Sequence, residues 1–183
     1  DAMEYSVMTY KSYPGDPMVG GYSNETWGYA QSWMMLDIAA LQYKYGADFT
    51  TNSGDTVYSW TPASGDTLVD GGVALSAWAN RIFTTVWDGG GTDTYDLSAY
   101  STGVQIDLAP GGASLFSAVQ QANLGDGYYA AGNVYNALQY QDDPRSLIEN
   151  AIGGTGNDTI DGNDANNEIL GKFGADTITG GGG

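Results

Sequence analysis

The chain has 183 residues and a formal net charge of −17, because 22 acidic residues face only 5 basic ones. Eighteen of the acids are Asp and four are Glu; Asp favours turns and oxygen-rich ion sites, and a pI near 4.1 argues against nucleic acid and anionic membranes and for divalent cations. With no His and no Cys, disulfides, a Ser-His-Asp triad and any zinc site of imidazole or thiolate are excluded.

No apolar run approaches the ~18 residues of a membrane span, and no signal-peptide pattern is read at the start. Residues 11–31 carry Pro14, Gly15, Pro17, Gly20 and Gly21 and read as irregular loop. Met34, Ile38, Leu41 and Tyr45 then follow helical spacing, which predicts a helix over 32–45 with Ser32 as N-cap and Gly46 just past the end. Beyond Gly46 short β-prone runs alternate with Gly, Asp, Asn and Ser turns. The predicted strands are Thr56–Trp60, Arg81–Trp87, Thr94–Leu97 and Val104–Leu108. Residues 109–146 show little pattern; Gly125–Gly132 reads as an exposed loop and Asp142-Asp143-Pro144 as a turn.

The last thirty residues repeat in nines: GGTGNDTID from Gly153, GNDANNEIL from Gly162, GKFGADTIT from Gly171. Ile160, Ile169 and Ile178 recur at one phase, and Asp158, Asn167 and Asp176 at another. Such a period belongs to a parallel β-solenoid. Each Ile would centre a short strand, and each Gly-rich half would turn the chain and aim carbonyls at a cation. A flexible linker would leave the recurrence of Ile without a reason. Trp87–Asp96 is a second acidic, glycine-rich cluster, and Asn52–Thr56 a weaker one. Either alone could be a hairpin turn. Ser6–Tyr10 (SVMTY) could be a Met-containing turn under a core, with Tyr10 a buried core residue.

Taken in order, SVMTY (6–10), MLDIAALQYKYGAD (35–48), TTNSGDTVYSW (50–60), VWDGGGTDTYDLSAY (86–100), IENAIGGTGNDTI (148–160) and the nonapeptides resemble serralysins. These are secreted, calcium-dependent zinc endopeptidases of the metzincin group (peptidase M10). The resemblance implies a mainly β fold, a β-sandwich running into a parallel RTX β-roll, preceded by a short helical remnant of the metalloprotease domain. It places that remnant at 1–46 and the calcium-binding domain at 47–183. Met8 corresponds to the Met-turn methionine and Tyr10 to the tyrosine that nears the zinc and steadies the oxyanion. Asn52, Gly54 and Thr56, with Asp88, Gly90 and Asp93, match one calcium site; Asn replaces an Arg whose carbonyl serves. Gly91 and Asp93, with Leu147 and Glu149, match a second, in which Leu147 replaces a Thr and can offer only its carbonyl. Gly154, Gly156 and Asp158, with Gly171, Phe173 and Asp176, match a site in the roll. Asn163, Ala165 and Asn167 match half of another.

The family's HExxHxxGxxH zinc motif has no counterpart, since the chain has no His. The resemblance therefore implies several Ca²⁺ ions here and Zn²⁺ only in a parent protease. The sequence then reads as an internal piece of a bacterial enzyme exported by a type I pathway, inactive alone. Its partners would be the protease part and, for the whole enzyme, polypeptide substrates. The competing readings are a stand-alone secreted calcium module and an adhesin sharing only the nonapeptides. The aromatic abundance leaves carbohydrate binding as a further alternative to a filled β core.

Overall fold

The computed structural model describes residues 2–183. Helix α1 (Met35–Tyr45) is followed by an antiparallel meander, β1 (Val57–Thr61), β2 (Ser64–Val69) and β3 (Gly72–Leu75). Then come β4 (Thr84–Val86), β5 (Thr94–Asp96), β6 (Gln105–Asp107) and β7 (Ala113–Ser114). A hairpin, β8 (Asn123–Gly125) with β9 (Tyr128–Tyr129), leads to β10 (Val134–Asn136). The chain closes with β11 (Asn150–Ile152), β12 (Thr159–Asp161), β13 (Ile169–Leu170) and β14 (Thr177–Thr179). The fold is mainly β, with one short helix and several sheets, none closed.

The nine-residue period becomes two parallel stacks. β5, β11 and β13 pair in one, and β6, β12 and β14 in the other. Consecutive strands alternate between the stacks, so Ala151 lies on Ile169 and Ile160 on Ile178. The first glycine of each nonapeptide has a packing reason. A Cβ on Gly153, Gly162 or Gly171 would strike the side chain of Asp158, Asn167 or Asp176 respectively. Burial fades along the stacks: Ile160 is fully buried, Ile169 is half-buried and Ile178 is exposed.

Alternation places Tyr58 and Trp60 of β1 inward, where Trp60 Nε1 donates to Thr67 Oγ1 at 2.9 Å. With Tyr95, Ile106, Phe116 and Ile160 they form the larger core. The smaller core joins Met3, Tyr13, Met34 and Met35 to Phe83, Leu124 and Tyr135. Residues before β1 are thus packed onto β4, β8 and β10.

Three local expectations are corrected. The N-cap is Met34, not Ser32; Ser32 Oγ instead accepts from Thr85 N and Thr84 Oγ1, each at 2.9 Å, tying the helix entry to β4. Of the apolar series on α1 only Met34 is fully buried. The helix buries Met35, Asp37 and Gln42 and leaves Leu41 and Tyr45 exposed. Gly125–Gly132 is exposed over 126–129 as expected, but it is a hairpin rather than a loop: Asp126 (φ 51°) and Gly127 (φ 84°) close β8–β9 in the twist such two-residue turns require, and Tyr128 stacks on Tyr13 at 3.9 Å. Gly46 does end the helix, at φ 85°, donating to Gln42 O at 2.8 Å.

Candidate functional site

The two acidic loops meet at the start of β1 and β5. Asp88 and Asp93 are both buried, at 1% and 0% exposure. Asp88 Oδ1 accepts from Gly90 N at 2.8 Å, and Oδ2 accepts from Tyr58 OH at 2.7 Å. That phenol oxygen also takes Asn52 Nδ2 at 2.8 Å, so one core tyrosine pins both loops. Thr92 N donates to Asp55 Oδ1 at 2.9 Å across the same gap. Thr56 Oγ1 reaches the carbonyls of Gly54 (2.9 Å) and Asn52 (3.1 Å). Gly90 (φ 139°) and Gly91 (φ 142°) adopt a backbone suited to glycine, and any Cβ on Gly91 would strike the backbone of Gly54.

Asp93 Oδ1 accepts from Thr56 N at 2.8 Å, while its Oδ2 is buried with no N–H or O–H donor, and the carboxyl is set against that of Asp88. Glu149 Oε2 accepts from Asp93 N at 2.8 Å, which brings the segment before β11 to the same place. Burial and the neighbouring Asp88 charge push the Asp93 carboxyl up to about 8. Burial also raises Asp88 and Glu149. No basic side chain offsets them. Among the described residues, the ion pairs are Arg81–Glu25 and Arg145–Asp143; Arg145 lies beside Gly90, but its guanidinium is taken by Asp143 and sits over the Phe49 ring. Buried carboxylates without a counter-charge are costly, and an orphaned carboxylate oxygen is rarer still. The donor set around the gap is all oxygen, the preference of Ca²⁺. Among the described residues no group of three or more acidic side chains is arranged to hold a metal by itself. A cation here would need backbone carbonyls among its ligands.

A cleft of about 900 Å³ extends from this cluster, with Thr92, Leu147, Glu149, Asn163, Asp164 and Ala165 in its walls. It joins the second family-matched set to the half-set of the repeats. Asn163 Oδ1 accepts from Ala165 N at 2.9 Å, and Asn167 Nδ2 donates to Asn163 Oδ1 (3.0 Å) and Glu149 O (2.7 Å). In the stacks, Asp158 Oδ1 accepts from Val104 N (2.9 Å) and Oδ2 from Gly154 N (2.8 Å), and Asp176 Oδ1 accepts from Asp158 N (2.9 Å). Gly154, Asp158, Gly171 and Asp176 therefore come together, with the two carboxylates bracing successive turns. Gly156 presses against Gly103 and Gly174, and Phe173 stands exposed nearby in sequence.

The residues at the N-terminal end lie elsewhere. Met8 and Tyr10 are 76% and 80% exposed and line a shallow recess with Ser6, Thr9, Lys11 and Met18. Tyr10 is therefore not a core tyrosine. Zinc does not fit the residues present: the chain offers neither imidazole nor thiolate. Sequence reasoning missed Tyr58 and Asp55 as braces of the calcium-matched loops. The alternation of β1 places Tyr58 inward, but its phenol's target 30 residues on could not be read from it. No helix of the described residues is long and apolar enough to cross a membrane.

Residues 47–179 match the family described as Peptidase M10 serralysin C terminal. Serralysin of Proteus mirabilis is 37% identical over 171 residues, covering 92% of this chain and 29% of that protein. Metallopeptidase AprA of Pseudomonas marginalis is 35% identical over 172 residues (92% and 31%), and serralysin C of Dickeya chrysanthemi 39% over 160 residues (87% and 28%). The chain thus spans less than a third of the length of these relatives. With a family match over most of its length, the chain belongs to the serralysin C-terminal family of peptidase M10.

Proposed function

We propose that this chain is the calcium-binding C-terminal part of a secreted, serralysin-like zinc metalloendopeptidase. The observation that carries the reading is Asp93 Oδ2, a buried carboxylate oxygen with no N–H or O–H donor, beside Asp88 and Glu149 and with no cation from the protein. Calcium supplies the missing charge. The ligands are drawn from Asn52, Gly54, Thr56, Asp88, Gly90 and Asp93 for one ion and from Gly91, Asp93, Leu147 and Glu149 for a second, largely through carbonyls. The two stacks act as a β-roll under a β-sandwich, with a further ion between the turns at Gly154–Asp158 and Gly171–Asp176. Bound ions neutralise part of the −17 charge and stabilise the fold, each by about 2.7 kcal/mol at a hundredfold excess over Kd.

Residues 1–46 are the edge of a protease domain, and Met8 and Tyr10 belong to the floor of its zinc site. A zinc ion in the parent enzyme, held by residues outside this chain, would supply carbonyl polarisation and water activation. Its protein ligands come from sequence beyond these 183 residues, so the chain alone does not hydrolyse peptides. Its setting is extracellular and bacterial, with export by a type I route supported by the repeats.

Isothermal titration of the metal-stripped chain with Ca²⁺ tests the reading. The expected result is saturable binding that Asp93→Asn weakens at the first two sites while the repeat site persists. Absence of binding at millimolar Ca²⁺, or isotherms identical in wild type and Asp93→Asn, would overturn it.

A further inference from the structure

A second cleft, of about 580 Å³, lies on a different face, between the loop around Trp27 and the loop between β3 and β4. Its walls carry two indoles, Trp27 and Trp78, parallel within 6° and with centroids 6.4 Å apart. Trp78 is 87% exposed and Trp27 48%, so their alignment does not remove either from water. The pair leaves indole surface exposed at the mouth of a cleft, where a ligand ring could stack on it.

The walls are locked before any ligand arrives. Glu25 takes Arg81 Nε at 2.6 Å and Arg81 Nη2 at 3.2 Å, and also the Asn123 amide at 3.1 Å. Gln31 donates to Arg81 O at 2.8 Å and accepts from Phe83 N at 3.0 Å. Gly28 seats against the Asn123 carbonyl so closely that a Cβ there would clash. The Trp27 loop is thereby fixed to the segment just beyond Trp78.

The polar groups select the ligand class. Arg81 lines the cleft, but its charge is already met by Glu25, which leaves nothing to recruit an anion. Thr26, Tyr29 and Ser76 also line the cleft and are exposed, so their hydroxyls face solvent. A hydroxyl both donates and accepts, which matches the hydroxyls of a sugar. A proline-rich segment would offer acceptors alone. We propose that the Trp27–Trp78 cleft is a binding site for a neutral saccharide, with a pyranose face on the Trp78 indole and its hydroxyls meeting Thr26, Tyr29 and Ser76. The site uses no residue of the calcium-matched loops; Thr26, Trp27 and Tyr29 belong to the segment assigned above to the edge of a protease domain, and the proposal rests on that domain leaving this face open.

The test titrates the intact chain, calcium present, with cellohexaose, chitohexaose and mannohexaose, and with hexaproline as the competing class, by indole fluorescence and indole N–H NMR shifts. The expected result is saturable binding of at least one oligosaccharide, weakened about tenfold by Trp78→Ala and partly kept by Trp78→Phe. Because Trp78 is so exposed, the thermal melt of Trp78→Ala should match wild type. No saturation by any of the three sugars at millimolar concentration would overturn the proposal. So would binding unchanged by Trp78→Ala, or tighter binding of hexaproline.

Discussion

Asp37 accepts a 2.7 Å hydrogen bond from Ser6 Oγ, and its other oxygen takes the amides of Val7 (2.8 Å) and Met34 (3.0 Å). One buried carboxylate at the third position of α1 therefore caps the helix and holds the loop that carries Met8 and Tyr10. Ser6 Oγ in turn accepts from Met8 N at 3.1 Å. Asp37→Ala removes a helix cap and two charge-assisted bonds. The expected loss is about 2–4 kcal/mol in urea unfolding, with faster cleavage of the 5–10 loop by added protease. A loss under about 0.5 kcal/mol would mean that the loop is held by other contacts.

The acidity of Asp93 sets a pH dependence in metal-free buffer. Its folded pKa, about 8, lies above the unfolded value. The folded state therefore binds the extra proton, and the contribution is complete below about pH 4 and lost as pH rises through 8. The metal-free chain should melt higher at pH 5 than at pH 8, and Asp93→Asn should flatten that slope. With millimolar Ca²⁺ the slope should weaken or reverse, because the cation replaces the proton. A metal-free melting profile unaffected by Asp93→Asn would refute this assignment.

Calcium removal gives a separate readout in the stacks. Under the proposed calcium reading, amides of 153–183 should exchange faster after chelation, because the turns would lose the ion joining them. Unchanged exchange would show that strand pairing alone orders the repeats.

The repeated carboxylates should differ in cost. Asp158 is buried and serves two backbone amides, Val104 N and Gly154 N, whereas half-buried Asp176 serves only Asp158 N. Asp158→Ala should destabilise by about 2–4 kcal/mol and Asp176→Ala by about half as much in chemical unfolding. Equal losses would contradict the bracing roles drawn from these bonds.

Gly91→Ala should cost more than Gly15→Ala, although both positions have positive φ. Gly15 opens on empty space, so only the backbone term of about 1 kcal/mol applies. Gly91 abuts the Gly54 backbone, and its variant should lose about 2 kcal/mol or more together with calcium affinity. Melting curves with and without Ca²⁺ separate the two effects.

The amino-acid order alone carried the nine-residue period, the Gly46 stop of the helix, and the acidic loops at 52–56 and 88–93. Each is a local property, a recurrence or a turn chemistry that spans a few residues. The strands it predicted at 56–60, 94–97 and 104–108 agree with β1, β5 and β6 within a residue or two. It did not reveal β10, a strand between β4 and β7, because all three of its residues are buried and no alternation marks them. The buried face of α1 was set by the neighbours: Asp37 turns inward for the amides of Val7 and Met34, and Leu41 is left outside. The meeting of Asp88, Asp93 and Glu149, the bare Asp93 oxygen and the parallel Trp27–Trp78 pair are likewise products of tertiary structure. They depend on desolvation and on contacts between segments some fifty residues apart, and neither quantity exists until the chain is packed.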